Sequence, residues 1–421
     1  MKNQISRLLI AIITVSLTLQ LGVFSASAAE NTKLPFNDIS NHWAKDNILK
    51  AYESGLVDGF PDGTFRPDDI VQADQFIVMM LRAHSVTQNG KTEFDPSWYK
   101  YLKEWQPAYL NKIMVTVYQQ NFKFQQATTG YWAKPFIDFI YETPFIYSDD
   151  TVFPKNYDLY KKQIKREQAS YLLGLWFDAF ETSYQIQYKN FVLSKADIKD
   201  IKSFGLNEST YLGQILISGL MNGYPNKYFY PKRYVTRAEA LTMVLRLRDA
   251  SLRQPFKPSL TGQHYIEQDG QVYLFSDKFK HDTYKKFIEL SQLHVKSGYV
   301  AQDSASIVSI YKSKDDYDKY IFMTKMMRFE DRPDDEVTAF VGDDTDRTIG
   351  ISFPELSKFT NSKPYLNALY ELLAGKGKGV ELKSKVDGFI SKNSPETEFT
   401  VNNKKFRFFT SGNRAWISLS Y

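Results

Sequence analysis

Apolar and polar positions follow three different rules along this chain. Residues Leu8 to Leu21 form an apolar run of 14 residues behind Lys2 and Arg7. From Phe36 to about residue 250, apolar side chains recur at helical spacing. Ile48, Leu49 and Tyr52 make one such stripe; Phe76, Met79, Met80 and Ala83 make another. That spacing predicts amphipathic helices sharing a core. Beyond residue 263 the pattern turns to alternation, the mark of half-buried strands. Pro255, Pro258 and Gly262 punctuate the change, so residues 251–263 read as a linker.

The last part, 264–421, predicts an α+β domain with one core. His264 to Phe275 holds Asp269-Gly270, a strong hairpin turn. Asp282 to His294 reads as a helix capped by Asp277 or Asp282. Ser304 to Tyr311, Tyr320 to Met326, Val337 to Val341 and Arg347 to Phe353 read as strands. Pro364 to Ala374 and Val380 to Ile390 read as helices. Glu398 to Phe409 reads as a hairpin around Asn402-Asn403, and Arg414 to Ser420 as a closing strand.

The helical part repeats itself. Gly55-Leu-Val-Asp-Gly59 and Phe60-Pro61-Asp62-Gly63-Thr64-Phe65-Arg66-Pro67 return 164 residues later. The later copy reads Gly219-Leu-Met-Asn-Gly223, Tyr224-Pro225 and Phe229-Tyr230-Pro231. Val235-Thr236-Arg237-Ala238-Glu239 then opens a second apolar helix. A divergent copy begins at Tyr131-Trp132-Ala133 and closes at Ile164-Lys165-Arg166-Glu167-Gln168-Ala169. It lacks the paired glycines and carries about five extra residues between Phe153 and Arg166. Each copy is helix, turn, helix. Such a unit buries too little alone, so three must pack together. The copies span 34–84, 130–182 and 201–250. A connector at 85–129 is aromatic and helical from Trp98 to Phe124, with a break at Pro107. A second connector spans 183–200.

These residues resemble the S-layer homology domain. Phe36-Asn37-Asp38-Ile39, His42-Trp43-Ala44, the Gly55/Gly59 spacing, the Phe60 to Pro67 stretch and the Val235 to Glu239 stretch look like its signature. The resemblance covers about half the chain. It implies a multidomain protein: an all-α, pseudo-threefold helical bundle followed by the α+β domain. It also implies binding of secondary cell-wall polysaccharide, often pyruvylated, in grooves between copies.

Carried onto this sequence, the resemblance makes Asp38, Trp43, Gly59, Trp132, Arg166, Gly223 and Arg237 the glycan-binding candidates. The chemistry fits. A pyruvate ketal is a carboxylate on a sugar, and arginine holds carboxylate with a planar fork of donors. Tryptophan offers the sugar a flat apolar face. The glycines admit backbone N–H groups close to the ligand. Asp38 accepts from sugar hydroxyls. No copy carries the full set. At the arginine position the copies hold Ala73, Arg166 and Arg237; at the tryptophan position, Trp43, Trp132 and Asn207. The early aspartate stands only in the first. One complete groove can still assemble across a boundary, and the expectation is a working groove at Arg237, with a second at Arg166.

Composition narrows the classes further. The chain has no cysteine, which removes disulfide scaffolds, thiolate metal sites and thiol nucleophiles. Its net charge is +5, too small to mark a nucleic-acid binder. Lys2 and Arg7, the apolar run and Ala26-Ser27-Ala28 make residues 1–28 a secretory signal peptide. Its removal lowers the charge to +3 and leaves no transmembrane segment. Export without cysteine suits the wall of a Gram-positive bacterium.

Catalytic signatures are scarce. Zinc-protease and G-x-S-x-G patterns are absent. Ser97-Trp-Tyr-Lys100 and Ser309-Ile-Tyr-Lys312 match S-x-x-K without its companions. The acidic loop Gly342 to Asp346 lacks EF-hand spacing. No catalytic residue, metal or cofactor is assigned. The expected protein is a non-enzymatic, non-covalently anchored surface protein. Two alternatives stay open: a wall-tethered hydrolase using Glu355 with an acid of Asp343–Asp346, and a structural or interaction protein whose bundle has lost its ligand.

Overall fold

A computed structural model gives the architecture. It describes residues 34–83, 85–88, 91–94, 127, 129–142, 146, 150–181, 184–268, 270–296, 299–303, 306–325, 333–342, 347–354 and 362–421. The signal peptide, the Trp98 to Phe124 helix, Glu355 and Asp343–Asp346 therefore lie outside the described residues.

The first half is helical. Its elements are α1 (Lys45–Glu53), α2 (Ala73–Ala83), α3 (Lys134–Glu142), a short α4 (Tyr157–Tyr160), α5 (Arg166–Phe180), α6 (Ile186–Lys195), α7 (Leu212–Ser218) and α8 (Arg237–Arg248). A strand pair, β1 (Ser85–Gln88) with β2 (Lys91–Phe94), follows α2. The connector thus opens as strands, ahead of the 98–124 stretch expected to be helical. Ser-Val-Thr-Gln and Lys-Thr-Glu-Phe are rich in β-branched residues, which suit a strand better.

Copy-like segments meet in a closed ring of backbone hydrogen bonds. Val71 N–H donates to the Val235 carbonyl (3.0 Å), Ile164 N–H to Val71 (3.1 Å) and Val235 N–H to Ile164 (3.0 Å). An outer ring runs the other way: Ala73 N–H to Lys162, Arg166 N–H to Arg233, Arg237 N–H to Asp69, at 2.8–2.9 Å. Each segment then starts a helix, α2, α5 or α8, in the same manner. The side chain three residues into each helix accepts from the N–H of the residue before it: Gln75 from Gln72, Gln168 from Lys165, Glu239 from Thr236. This is the reciprocal half of a capping box.

Helix α1 ends in a Schellman pair. Gly55 N–H reaches the Tyr52 carbonyl and Leu56 N–H reaches Ala51, with Gly55 at φ +68°. Gly219 closes α7 in the same left-handed conformation. One buried cluster runs through all these helices, with Phe36, Phe76, Phe136, Trp176 and Phe229 among its largest members.

The second half has β3 (His264–Gln268), β4 (Gln271–Phe275), α9 (Lys278–His294), β5 (Val300–Asp303), β6 (Ile307–Ile310), α10 (Lys314–Lys325), β7 (Val337–Val341), β8 (Thr348–Pro354), α11 (Lys363–Ala374), α12 (Gly379–Ser391), β9 (Thr397–Val401), β10 (Lys404–Ser411) and β11 (Arg414–Ser420). Seven strands form one antiparallel sheet in the order β5-β6-β7-β8-β11-β10-β9. Inward side chains such as Ile351, Phe406 and Ile417 meet Phe287, Leu369 and Leu382 of the helices in a second core.

Two expectations change. Of Ser304 to Tyr311, only Ile307–Ile310 is strand among the described residues, as β6. Residues 320–325 of the expected strand Tyr320 to Met326 belong to a helix, and Met326 lies outside the described residues: Ser313 Oγ accepts the Asp316 N–H (3.1 Å) and nucleates α10, whose Tyr320 and Met323 are buried.

The linker 251–263 lies strapped to the bundle. Gln254 N–H donates to Gly219 (3.1 Å) and Phe256 N–H to Leu216 (2.8 Å). Arg253 makes a two-pronged pair with Glu181 (2.6 and 2.7 Å). The β3–β4 hairpin forms its own sheet, with Val272 and Leu274 joining the first core. Gln185 of the bundle takes both backbone groups of Leu274 (2.7 and 2.9 Å), as a neighbouring strand would. Packing therefore crosses the boundary expected at 264. Among the described residues no helix is long and apolar enough to cross a membrane.

Candidate functional site: two arginine cradles

The outer ring delivers each arginine to the loop of another copy. Arg237, the first residue of α8, reaches the first copy. Its Nη2 donates to the Asp58 carbonyl (2.8 Å), and its guanidinium lies over Phe65 (4.7 Å) and Phe60 (5.2 Å). Arg166, the first residue of α5, reaches the third copy. Its Nη2 donates to the Asn222 carbonyl (3.2 Å) and its Nε to the Phe229 carbonyl (2.9 Å). Its guanidinium lies over Tyr224 (4.8 Å) and Phe229 (5.0 Å). Asp58, Phe60 and Phe65 correspond to Asn222, Tyr224 and Phe229 by the 164-residue shift. The two cradles are one construction built twice. Ala73 holds the third position, and there the boundary is filled: Tyr131 donates its hydroxyl to the buried Asp74 (2.7 Å).

The cradles differ in what answers the cation. Arg166 is 4% exposed and has Glu239 Oε1 at 3.7 Å from Nη1. Glu239 also accepts from Tyr224 Oη (2.8 Å) and Arg233. Burial pushes the Glu239 carboxyl upward, but these donors, the Thr236 N–H and the nearby guanidinium groups bring it below its usual range. Arg237 has no carboxylate partner within 4 Å among the described residues, and its Nε is shielded from solvent without an acceptor. Burial pushes Arg237 below its ordinary range, with the pull of Asp58 and Asp69 opposing. A half-buried guanidinium with a spare donor can take an anion.

Arg66, absent from the candidate set, stacks on Phe60 at 3.9 Å. It is already engaged, with Nη2 on Asp62 (2.9 Å) and Nε on Thr64 Oγ1 (3.2 Å). The Thr64 hydroxyl and Arg66 hold the Asp62 carboxyl down at about 2.

The other candidates fall into separate roles. Trp43 is 63% exposed beside His42 (ring centroids 5.4 Å), whose Nε2 lies 3.3 Å from Asp68, next to the Asp69 carbonyl that takes the Arg237 N–H. Trp132 is half-buried against Phe136, on the filled boundary. Asp38 accepts from the N–H groups of Phe65 (2.8 Å) and Arg66 (2.7 Å), clamping a turn in which Arg66 sits at φ +57°. A Cβ on Gly59 would fall 2.0 Å from the Phe36 ring, and one on Gly223 3.1 Å from the Tyr228 carbonyl. Gly59 thus lets its loop close against the Phe36 ring, and Gly223 lets its loop close on itself. Asn207, at the tryptophan position, donates to Thr151 Oγ1 (2.6 Å).

The third copy does have its aspartate, contrary to the sequence reading. Asp200 accepts from the N–H groups of Phe229 (2.8 Å) and Tyr230 (2.7 Å), as Asp38 does in the first. Its spacing from Asp38 is 162 and not 164, which hides it from a fixed shift. The shared Asp-Ile dipeptide (Asp38-Ile39, Asp200-Ile201) is the signal that finds it.

Known proteins resemble part of this chain. The S-layer homology domain model matches residues 35–71 and 198–241, which fall on the first and third copies. A cellulosome-anchoring protein of Acetivibrio thermocellus is 30% identical over 177 residues, 41% of this chain and 32% of that protein. Cell surface glycoprotein 1 of the same organism is 29% identical over 157 residues, 37% of this chain and 6% of its own length. An amylopullulanase of Thermoanaerobacterium thermosulfurigenes is 25% identical over 232 residues, 54% of this chain and 10% of that protein. The chain thus spans a third or less of the length of these relatives.

Proposed function

We propose that this chain, whose first and third copies are S-layer homology domains, anchors an exported protein non-covalently to the cell wall of a Gram-positive bacterium. The anchor is the pseudo-threefold bundle of copies 34–84, 130–182 and 201–250. Its partner is secondary cell-wall polysaccharide bearing an acid group, such as a pyruvate ketal. The 264–421 domain is displayed outside the wall.

The observation that carries the reading is Arg237. It is half-buried over two aromatic rings and has no carboxylate partner among the described residues, while its counterpart Arg166 has one. A ligand carboxylate accepting from Arg237 would relieve the cost of that burial. The flat, exposed face of Trp43 belongs to the same copy as the Phe60 loop and stands ready to stack on a sugar ring. The proposed groove joins residues far apart in sequence, the Asp58 to Phe65 loop of the first copy and Arg237 of the third, with Trp43 as its stacking face. Asp38 and Gly59 support it by shaping the loop, and Trp132 stands outside it.

Purified wall sacculi test the proposal. The full-length mature protein should co-sediment with intact sacculi and be released when the wall polysaccharide is stripped. Undiminished binding to stripped sacculi would rule out the glycan anchor.

A further inference from the structure

We infer that the β3–β4 hairpin is a wall shared by both cores, through which the helical bundle and the seven-stranded sheet domain stabilise one another. Two units joined by a linker move against one another by default. Here the elements that would supply the hinge are built into the cores on either side. The inference concerns this joint and does not depend on what the bundle binds.

The register divides the hairpin into two faces. Tyr265 pairs with Leu274 and Glu267 with Val272; His264 pairs with Phe275 and Ile266 with Tyr273. Directly paired residues point to the same side of an antiparallel ribbon. On one side Leu274, 8% exposed, and Val272 pack into the core of the bundle. On the other side Ile266, Tyr273 and Phe275 pack against the core of the sheet domain. A two-stranded ribbon is marginal by itself in water. Each core therefore supplies part of what keeps this one formed, and the ribbon in turn covers both.

Polar contacts fasten each face separately. On the bundle side Gln185, just before α6, accepts the Leu274 N–H at Oε1 (2.7 Å) and donates from Nε2 to the Leu274 carbonyl (2.9 Å). On the sheet-domain side His281 of α9 places Nε2 3.1 Å from the Tyr265 carbonyl oxygen. The Phe275 ring meets His281 edge-on (5.5 Å) and lies 5.6 Å from the buried Tyr284. The chain leading into the hairpin is held as well. Phe256 and Leu260 pack on the bundle core, beside the backbone bonds of Gln254 and Phe256. Swinging the sheet domain away would expose Val272 and Leu274 and leave the Leu274 backbone groups without their protein partner. The sheet domain thus has no free swing on the bundle.

Native-state hydrogen exchange on the full-length mature chain tests the joint. It reads the most protected amides of α5 in the bundle and of β11 in the sheet, each of which reports the opening of its own unit. Gln185→Ala removes two hydrogen bonds on the bundle side and touches nothing in the sheet. It should nevertheless speed exchange in β11 as well as α5, at least about fivefold in each. Leu274→Ala, a change in the hairpin, should likewise speed both sets, at least about tenfold. Far-UV circular dichroism establishes that each variant is folded; Gln185→Ala is the milder of the two and carries the test if Leu274→Ala does not fold. Wild-type exchange of β11 in folded Gln185→Ala would overturn the inference. So would wild-type exchange of α5 in folded Leu274→Ala.

Discussion

Replacing Asp38 by alanine separates two roles that one residue could have: sugar ligand or turn clamp. The structure makes it a clamp. Its carboxylate takes two backbone N–H groups at 2.8 and 2.7 Å, and one belongs to Arg66 in the left-handed region. A hydrogen bond to a charged group contributes about 1.5–3 kcal/mol, and water partly replaces it at an exposed site. Losing the pair should therefore destabilise the bundle by about 2–3 kcal/mol. For a unit of this size that is a fall of roughly 5–10 °C in melting temperature. Asp200→Ala removes the equivalent clamp and should cost a similar amount. Thermal and urea unfolding followed by far-UV circular dichroism reads the loss. Sacculus binding at low temperature, where both proteins are folded, should change much less than stability. An Asp38→Ala variant that melts with wild type yet no longer binds the wall would refute the clamp and restore the ligand role.

Two further predictions concern stability. Gly219→Ala forces a left-handed alanine and puts its Cβ 2.3 Å from the Pro255 nitrogen, whereas Gly262→Ala is left-handed with open space around it. The first should cost about 2 kcal/mol or more and the second about 1; equal urea midpoints would contradict the strapped linker. Asp74 is buried, with its carboxyl pushed up by desolvation against the Tyr131 hydroxyl bond and the pull of Lys161. A native pKa above the unfolded one means that stability falls as pH rises from the ordinary carboxylate range through the native value. Asp74→Asn should flatten that slope and be the more stable protein at neutral pH; an unchanged slope in pH-dependent urea midpoints would contradict the sign.

Much of this is legible in residues alone, for identifiable reasons. The first and third copies align without a gap from their first helix to their second, so the equivalence of Arg166's and Arg237's cradles follows once the ring is seen. The ring itself is not legible. Which arginine meets which loop depends on the direction of hydrogen bonding among Val71, Ile164 and Val235, and no local pattern encodes it. Gly59 stands out as a glycine, yet the ring of Phe36 that requires it lies 23 positions away. Tyr320 to Met326 misleads because tyrosine, isoleucine and phenylalanine favour strands in isolation. The deciding signals are the Ser313 cap and the spacing of Tyr317, Tyr320 and Met323. Glu239 completes the capping box that Thr236 opens at the start of α8. That it also neutralises a neighbouring copy's arginine appears only in three dimensions.

The most direct test of the anchoring account is the affinity of the full-length mature protein for purified sacculi, measured for wild type and Arg237→Ala side by side. The account predicts a loss of about 1.5–3 kcal/mol, the scale of a removed charged hydrogen bond, with the fold intact. Wild-type affinity in a folded Arg237→Ala protein would contradict it.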